Sequence, residues 1–196
     1  MRVLDAEEPF SELPIHLSEN YFGYNRMRSL DMDGTRKLPA WIYPVKRLVL
    51  SRNTDIWCRL PYPGHPRGCP NYGKKSECPP RAERIGEYLD LQKPLFLVHS
   101  EFNVLAQAAR MHKRHPKWTD RQCRNLLYWQ ATSRRQLHDR AARAAKLLGT
   151  DLFTVTPEAM GVNVFATTRL AGLKLDPTRS VNICRHVALL GHSFSG

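Results

Sequence analysis

No stretch of this chain approaches the ~20 consecutive apolar residues that cross a bilayer. Met1 to Pro14 carries Asp5, Glu7 and Glu8 and no apolar core, so neither a secretory signal nor an arginine-rich transit peptide is expected there. A cytoplasmic protein without a membrane partner is the expectation. Also missing are a Cys-x2-Cys pair, a His-Glu-x-x-His helix, a glycine-rich phosphate loop and a nucleophile elbow. Hydrolase and nucleotide-kinase readings are left without a motif. Acidic residues are scarce: 18 Asp and Glu face 30 Lys and Arg, for a formal net charge of +12. Such an excess attracts polyanions, so nucleic acid or an acidic protein is the expected partner class.

What the chain does have is 196 residues, 42% of them hydrophobic, enough for one domain with a real core. Residues 1–40 read as an irregular N-terminal arm, a docking segment if the chain is a subunit of a larger assembly. Residues 41–196 read as a single domain. Within it, Trp41–Val45 leads into a strand over Lys46–Ser51, 81–90 holds a short helix, and Leu95–His99 is a buried strand. Ser100 is an expected N-cap for a helix to about Lys113, which Pro116 ends. Thr119 and Gln122 form a capping-box pattern at the start of one long helix running to Leu148 and stopping at Gly149. At ~100° per residue, Cys123, Leu127, Leu137, Ala141 and Ala144 fall on one side, with Arg121, Arg124, Tyr128, Arg135 and Lys146 opposite. The basic side is a solvated face or an anion-binding one. Thr156-Pro157-Glu158 starts another short helix, 165–171 holds a further one, and Val181–Leu190 is the last strand. The fold class is α+β, or α/β: a small central sheet with packed helices and a long Pro/Gly loop.

That loop carries the chemistry. Cys58, Cys69 and Cys78 are spaced C-x10-C-x8-C among six prolines and three glycines between 58 and 80. An ordered loop of this length needs something to hold it, and a metal would do so. Cytosolic thiols stay reduced and the cysteine count of five is odd, so a disulfide framework is a poor reading. Three thiolates with His65 would make a zinc site. Three thiolates could equally hold an iron–sulfur cluster, with the fourth position left to a substrate, a water or a distant residue such as Cys184 or Cys123. Arg59, Arg67, Lys74 and Lys75 surround the loop, where they would stabilise an anionic cluster or receive a phosphate. Cys123, by contrast, reads as a buried structural thiol.

The loop resembles the signature of a family of predicted metal-binding proteins of archaea and anaerobic bacteria: a leading Cys, then Cys-Pro-x-Tyr-Gly, then Cys-Pro-Pro. Here these are Cys58, Cys69-Pro70-Asn71-Tyr72-Gly73 and Cys78-Pro79-Pro80. A second stretch, Pro157 to Phe165 followed by Ala171-Gly172-Leu173, is similar to the same family's later motif. The resemblance runs from about Val45 to Leu190. It implies an α+β fold and a cysteine-bound metal or iron–sulfur centre. Family members commonly carry a further cysteine group ahead of the second motif, and 146–156 here has none, so one centre is implied, not two. Together these observations lead to a [4Fe–4S] protein with a redox or sulfur-transfer role. The alternatives are a nucleic-acid-binding module with a structural zinc and a cluster-carrying subunit of a larger complex. An enzyme acting on a nucleic acid or other anionic substrate would use every feature at once.

Overall fold

The computed structural model describes residues 14–16, 38–61, 65–176 and 181–194. They form an α+β domain around a four-stranded antiparallel sheet, ordered β2 (Ile42–Val45), β4 (Leu95–His99), β8 (Val187–Gly191) and β6 (Leu152–Thr154). β4 is central, with Leu97 paired to Tyr43 on one side and Leu189 on the other. All five of its residues are buried, which explains why it is a continuous apolar run and not an alternating one.

The period-2 alternation divides its side chains between two cores. Phe96 and Val98 join Ile42, Ala188 and Leu190 against Leu137, Ala141 and Ala144 of α5 (Gln130–Leu148). The alanines let α5 lie close on the sheet. Leu95 and Leu97 face the other way, with Val45, Val187 and Leu189, onto Leu48, Ile85, Leu89, Met160, Val162 and Leu173. That second core is closed by β3 (Arg47–Val49), α2 (Ile85–Tyr88), the 3-10 turn Pro157–Met160 and α6 (Val164–Leu170). The 3-10 turn starts on Pro157 as expected, and its far end is stitched to the strand side of the molecule: the Ser51 amide donates to the Gly161 carbonyl at 2.8 Å and the Asn163 amide to Val49 at 2.8 Å.

Of residues 1–40, Pro14–His16 form β1, antiparallel to β3. The rest of that expected arm, apart from 38–40, lies outside the described residues.

Four expectations are corrected. The helix from 119 to 148 is not continuous. It divides into α4 (Asp120–Cys123), a 3-10 turn (Leu126–Tyr128) and α5. The capping box at Thr119 and Gln122 forms, but it starts a single turn. The break has a local cause. The Trp129 indole N–H donates to the Arg124 carbonyl at 3.2 Å, taking the acceptor that a continuing helix would offer to the Tyr128 amide. Asn125 Oδ1 then accepts from the Leu127 amide, an Asx-type turn. Arg124 is drawn off toward the Val181 carbonyl. Leu127, expected in the core, is 85% exposed as a result, while Cys123 is fully buried as expected.

The second correction concerns Ser100, which caps no helix. α3 (Val104–Arg114) starts three residues later, with Asn103 Oδ1 accepting from the Ala106 amide. Third, the last strand is two: β7 (Ile183–Cys184) pairs with β5 (Phe102–Asn103), and after a break at Arg185-His186 β8 enters the main sheet. Fourth, Cys58 sits in a helical turn, α1 (Thr54–Arg59), which ends before the first proline of the loop.

Candidate metal centre

The cysteine loop is built of consecutive turns closed by backbone hydrogen bonds. The Cys69 amide donates to the Cys58 carbonyl at 2.7 Å, Tyr72 to Cys69 at 3.1 Å, Gly73 to Pro79 at 2.8 Å and Cys78 to Lys75 at 3.2 Å. Arg81 adds a guanidinium bond to the Lys74 carbonyl at 3.3 Å. These bonds pair several of the loop's peptide groups with one another. The tightest point is Gly68, at φ +80°, where an added Cβ would lie 2.5 Å from the Cys58 carbonyl oxygen and 2.7 Å from the Arg59 carbonyl carbon. Only glycine brings the Cys69 strand of the loop down onto the end of α1 in this way.

All three loop cysteines stand outside any disulfide and are partly buried. The Cys78 thiol is pushed above its ordinary value, first by burial and then by the negative charge of Cys69, while Lys75 opposes. The Cys69 and Cys78 sulfurs thus share one electrostatic neighbourhood, and ionising both there favours a cation between them. Among the described residues, no three His, Cys, Asp or Glu side chains already converge at metal-binding spacing. The backbone brings the cysteine-bearing segments together without setting the side chains as a finished ligand trio. Of the fourth-ligand candidates, His65 lies at the start of the turn into Cys69, its carbonyl accepting from the Gly68 amide. Cys184 sits in β7, its thiol raised by burial and by Asp176. Arg59, Arg67, Lys74 and Lys75 are all exposed around the loop.

The more distant basic residues do not form one face. Arg121 is exposed beside α3. Arg124 is held by Asp120 at 2.7 Å, and Arg135 and Lys146 are exposed on α5. Arg140 and Arg143 of α5 lie over the Trp41 ring, 5.5 and 5.7 Å from its centroid.

Sequence reasoning missed a polar cluster where β4 ends, β8 begins and α5 starts. The His186 amide donates to Ser100 Oγ at 3.1 Å, the Ser100 and Ser133 hydroxyls are 2.9 Å apart, and Ser133 Oγ is 2.8 Å from His186 Nδ1. Ser100 and Ser133 are fully buried. Every group in this ring is satisfied if Ser100 donates to Ser133 and Ser133 donates to Nδ1, which leaves the imidazole proton on Nε2. The signal was present: Ser133 continues the buried stripe of Leu137, Ala141 and Ala144 one turn further. Arg134, next along the helix, acts electrostatically on both His186 and Glu158. Glu158 in turn is one of the charges acting on Cys78. Glu158 keeps solvent-accessible area, yet the protein packed around its carboxyl pushes its pKa up from the ordinary value, against its own backbone hydrogen bond and the pull of Arg134.

His99, at the end of β4, is buried with Nδ1 2.9 Å from the Ser100 carbonyl, and Arg140 donates to the His99 carbonyl at 2.8 Å. Burial lowers its pKa below 6.5, outweighing its two backbone hydrogen bonds. Its contribution to stability is whole above the unfolded value and is lost as pH falls from about 6.5 toward the folded value, levelling off below it. Denaturant unfolding at about pH 7.5 and about pH 5 is expected to show lower stability at the acid point. A His99→Gln variant is expected to show a smaller drop; an unchanged drop would remove His99 from the account.

No family model, curated protein or solved structure matches this chain.

Proposed function

We propose that Cys58, Cys69 and Cys78 hold an iron–sulfur centre, a [4Fe–4S] cluster, and that the chain has a redox or sulfur-transfer role. The observation that carries this reading is the closure at Gly68, which packs the Cys69 turn onto the Cys58 carbonyl beside the electrostatically coupled Cys78. Three thiolates on the end of α1 and the long, proline-stiffened loop that follows leave the fourth position to His65, Cys184 or a substrate. A cluster of this kind carries single electrons, and an iron without a protein ligand polarises what binds it. The exposed Arg59, Arg67, Lys74 and Lys75 supply positive charge to an anionic substrate and lower the cost of the cluster's own negative charge. Five cysteines outside any disulfide suit a reducing compartment, the cytoplasm. Among the described residues no helix is long and apolar enough to cross a membrane.

The test is the iron, zinc and acid-labile sulfide content of anaerobically purified protein beside a Cys69→Ala variant. Iron and sulfide of roughly four each per chain, lost in the variant, are expected for this centre. Zinc without sulfide would discard the cluster in favour of a structural site.

A further inference from the structure

Where α3 meets α4, three rings lie in one stack. His115 and Trp118 are 4.0 Å apart between centroids with planes at 11°, and Trp118 and Tyr128 are 5.5 Å apart at 27°. His115 follows the last residue of α3, Trp118 immediately precedes the Thr119 cap of α4, and Tyr128 ends the 3-10 turn, so the helix break described above is what delivers Tyr128 to the stack. A 3.9 Å contact between His112 and Asp120 ties the two helices behind it. A stack that only clamped this turn would bury its rings. Here Tyr128 is 49% exposed and its neighbours Leu126 and Leu127 are 52% and 85% exposed.

The charge around the rings is one-sided. Lys113, Arg114, Lys117 and Arg121 are exposed, and Asp120, the one carboxylate between 113 and 124, is already bound to Arg124 at 2.7 Å. Stacked rings with an apolar margin, and exposed cations close in sequence that have no ion pair among the described residues, are the two ingredients that bind bases and phosphates of an unpaired strand. A duplex offers its bases only edge-on, and an acidic peptide has no flat faces to extend the stack.

We propose that the His115–Trp118–Tyr128 stack with Lys113, Arg114, Lys117 and Arg121 is a binding platform for single-stranded nucleic acid, a base stacking on the exposed Tyr128 end of the rings. The platform does not depend on the metal centre, and the wild-type loop cysteines are retained throughout its test. The probes are labelled oligothymidylate, oligouridylate and a DNA duplex of equal length, read by anisotropy on the full chain across a salt series. Both single strands are expected to bind more tightly than the duplex, the comparison of the two showing whether the sugar is read. Tyr128→Ala, at the exposed end where folding is least at risk, is expected to weaken binding at least about tenfold, as loss of one base stack does. Trp118→Phe is expected to retain most of the affinity that Trp118→Ala loses. Lys113→Gln with Lys117→Gln is expected to flatten the salt dependence by roughly 0.7 per phosphate contact removed. Equal binding of duplex and single strands, affinity indifferent to Tyr128, or displacement by polyglutamate as effective as by unlabelled oligonucleotide would each overturn the proposal.

Discussion

Gly68→Ala is expected to cost more than about 3 kcal/mol of stability and to abolish the metal binding proposed for the cysteine loop, whereas Gly73→Ala, five residues on, costs about 1 kcal/mol. The two glycines have nearly the same backbone, φ +80° and +69°, so each alanine pays the left-handed penalty of ~1–2 kcal/mol. They differ in what the new methyl meets. At Gly73 there is nothing within 4 Å; at Gly68 there is the Cys58 carbonyl oxygen at 2.5 Å and the Arg59 backbone at 2.7 Å. Those atoms belong to the end of a helical turn and cannot rotate away as a side-chain tip would. The loop must open instead, breaking the 2.7 Å bond from the Cys69 amide to Cys58 and separating two proposed ligands. Metal and sulfide content, with chemical denaturation, checks both parts. Equal behaviour of the two variants would remove the closure at Gly68 as the element that holds the site.

This pairing shows what a sequence can and cannot disclose. The cysteine spacing and the density of proline and glycine pointed to the loop. Which glycine is indispensable depends on a contact across ten residues that no local pattern records. The same division runs through the fold. β4 was legible because four apolar residues in a row, Leu95 to Val98, describe a strand covered on both faces. The capping box at Thr119 was legible because its partners are three residues apart.

Helix continuity was not legible. Leu127 keeps the helical period with Cys123, and nothing local announces that the Trp129 indole will claim the Arg124 carbonyl or that Arg124 will reach Val181, far along the chain. The basic face drawn on an unbroken helix dissolves with it. A different grouping, set by the break itself, brings Tyr128 to Trp118. The Ser100–Ser133–His186 ring escaped for a related reason. Each member is ordinary alone, and Ser133 counts as a small residue on an apolar stripe until the strand ends that meet it are placed.

Ser133→Ala is expected to cost about 2–4 kcal/mol, more than its loss of one small side chain suggests. The ring joins the end of β4 to the start of β8 and the first turns of α5, so its hydroxyls stand where three elements meet. Removing the Ser133 oxygen leaves the O–H of fully buried Ser100 without an acceptor, although its oxygen still accepts from the His186 amide, and deprives His186 Nδ1 of its donor. Each stranded group costs about 1–3 kcal/mol, and the half-buried imidazole can recover part of its share from water. Ser100→Ala strands the His186 amide and takes the donor from the Ser133 oxygen, whose own O–H keeps its bond to His186 Nδ1. Because the two serines complete one another, the double variant is expected to cost less than the sum of the singles by ~1–2 kcal/mol, the signature of a shared network. Urea unfolding of the four proteins closes this cycle. Nitrogen chemical shifts of the His186 ring supply a second readout, with the proton on Nε2 in the wild type and released from that preference in Ser133→Ala. Strict additivity together with an unchanged ring tautomer would show that the hydroxyls act separately and that the ring is only a coincidence of distances.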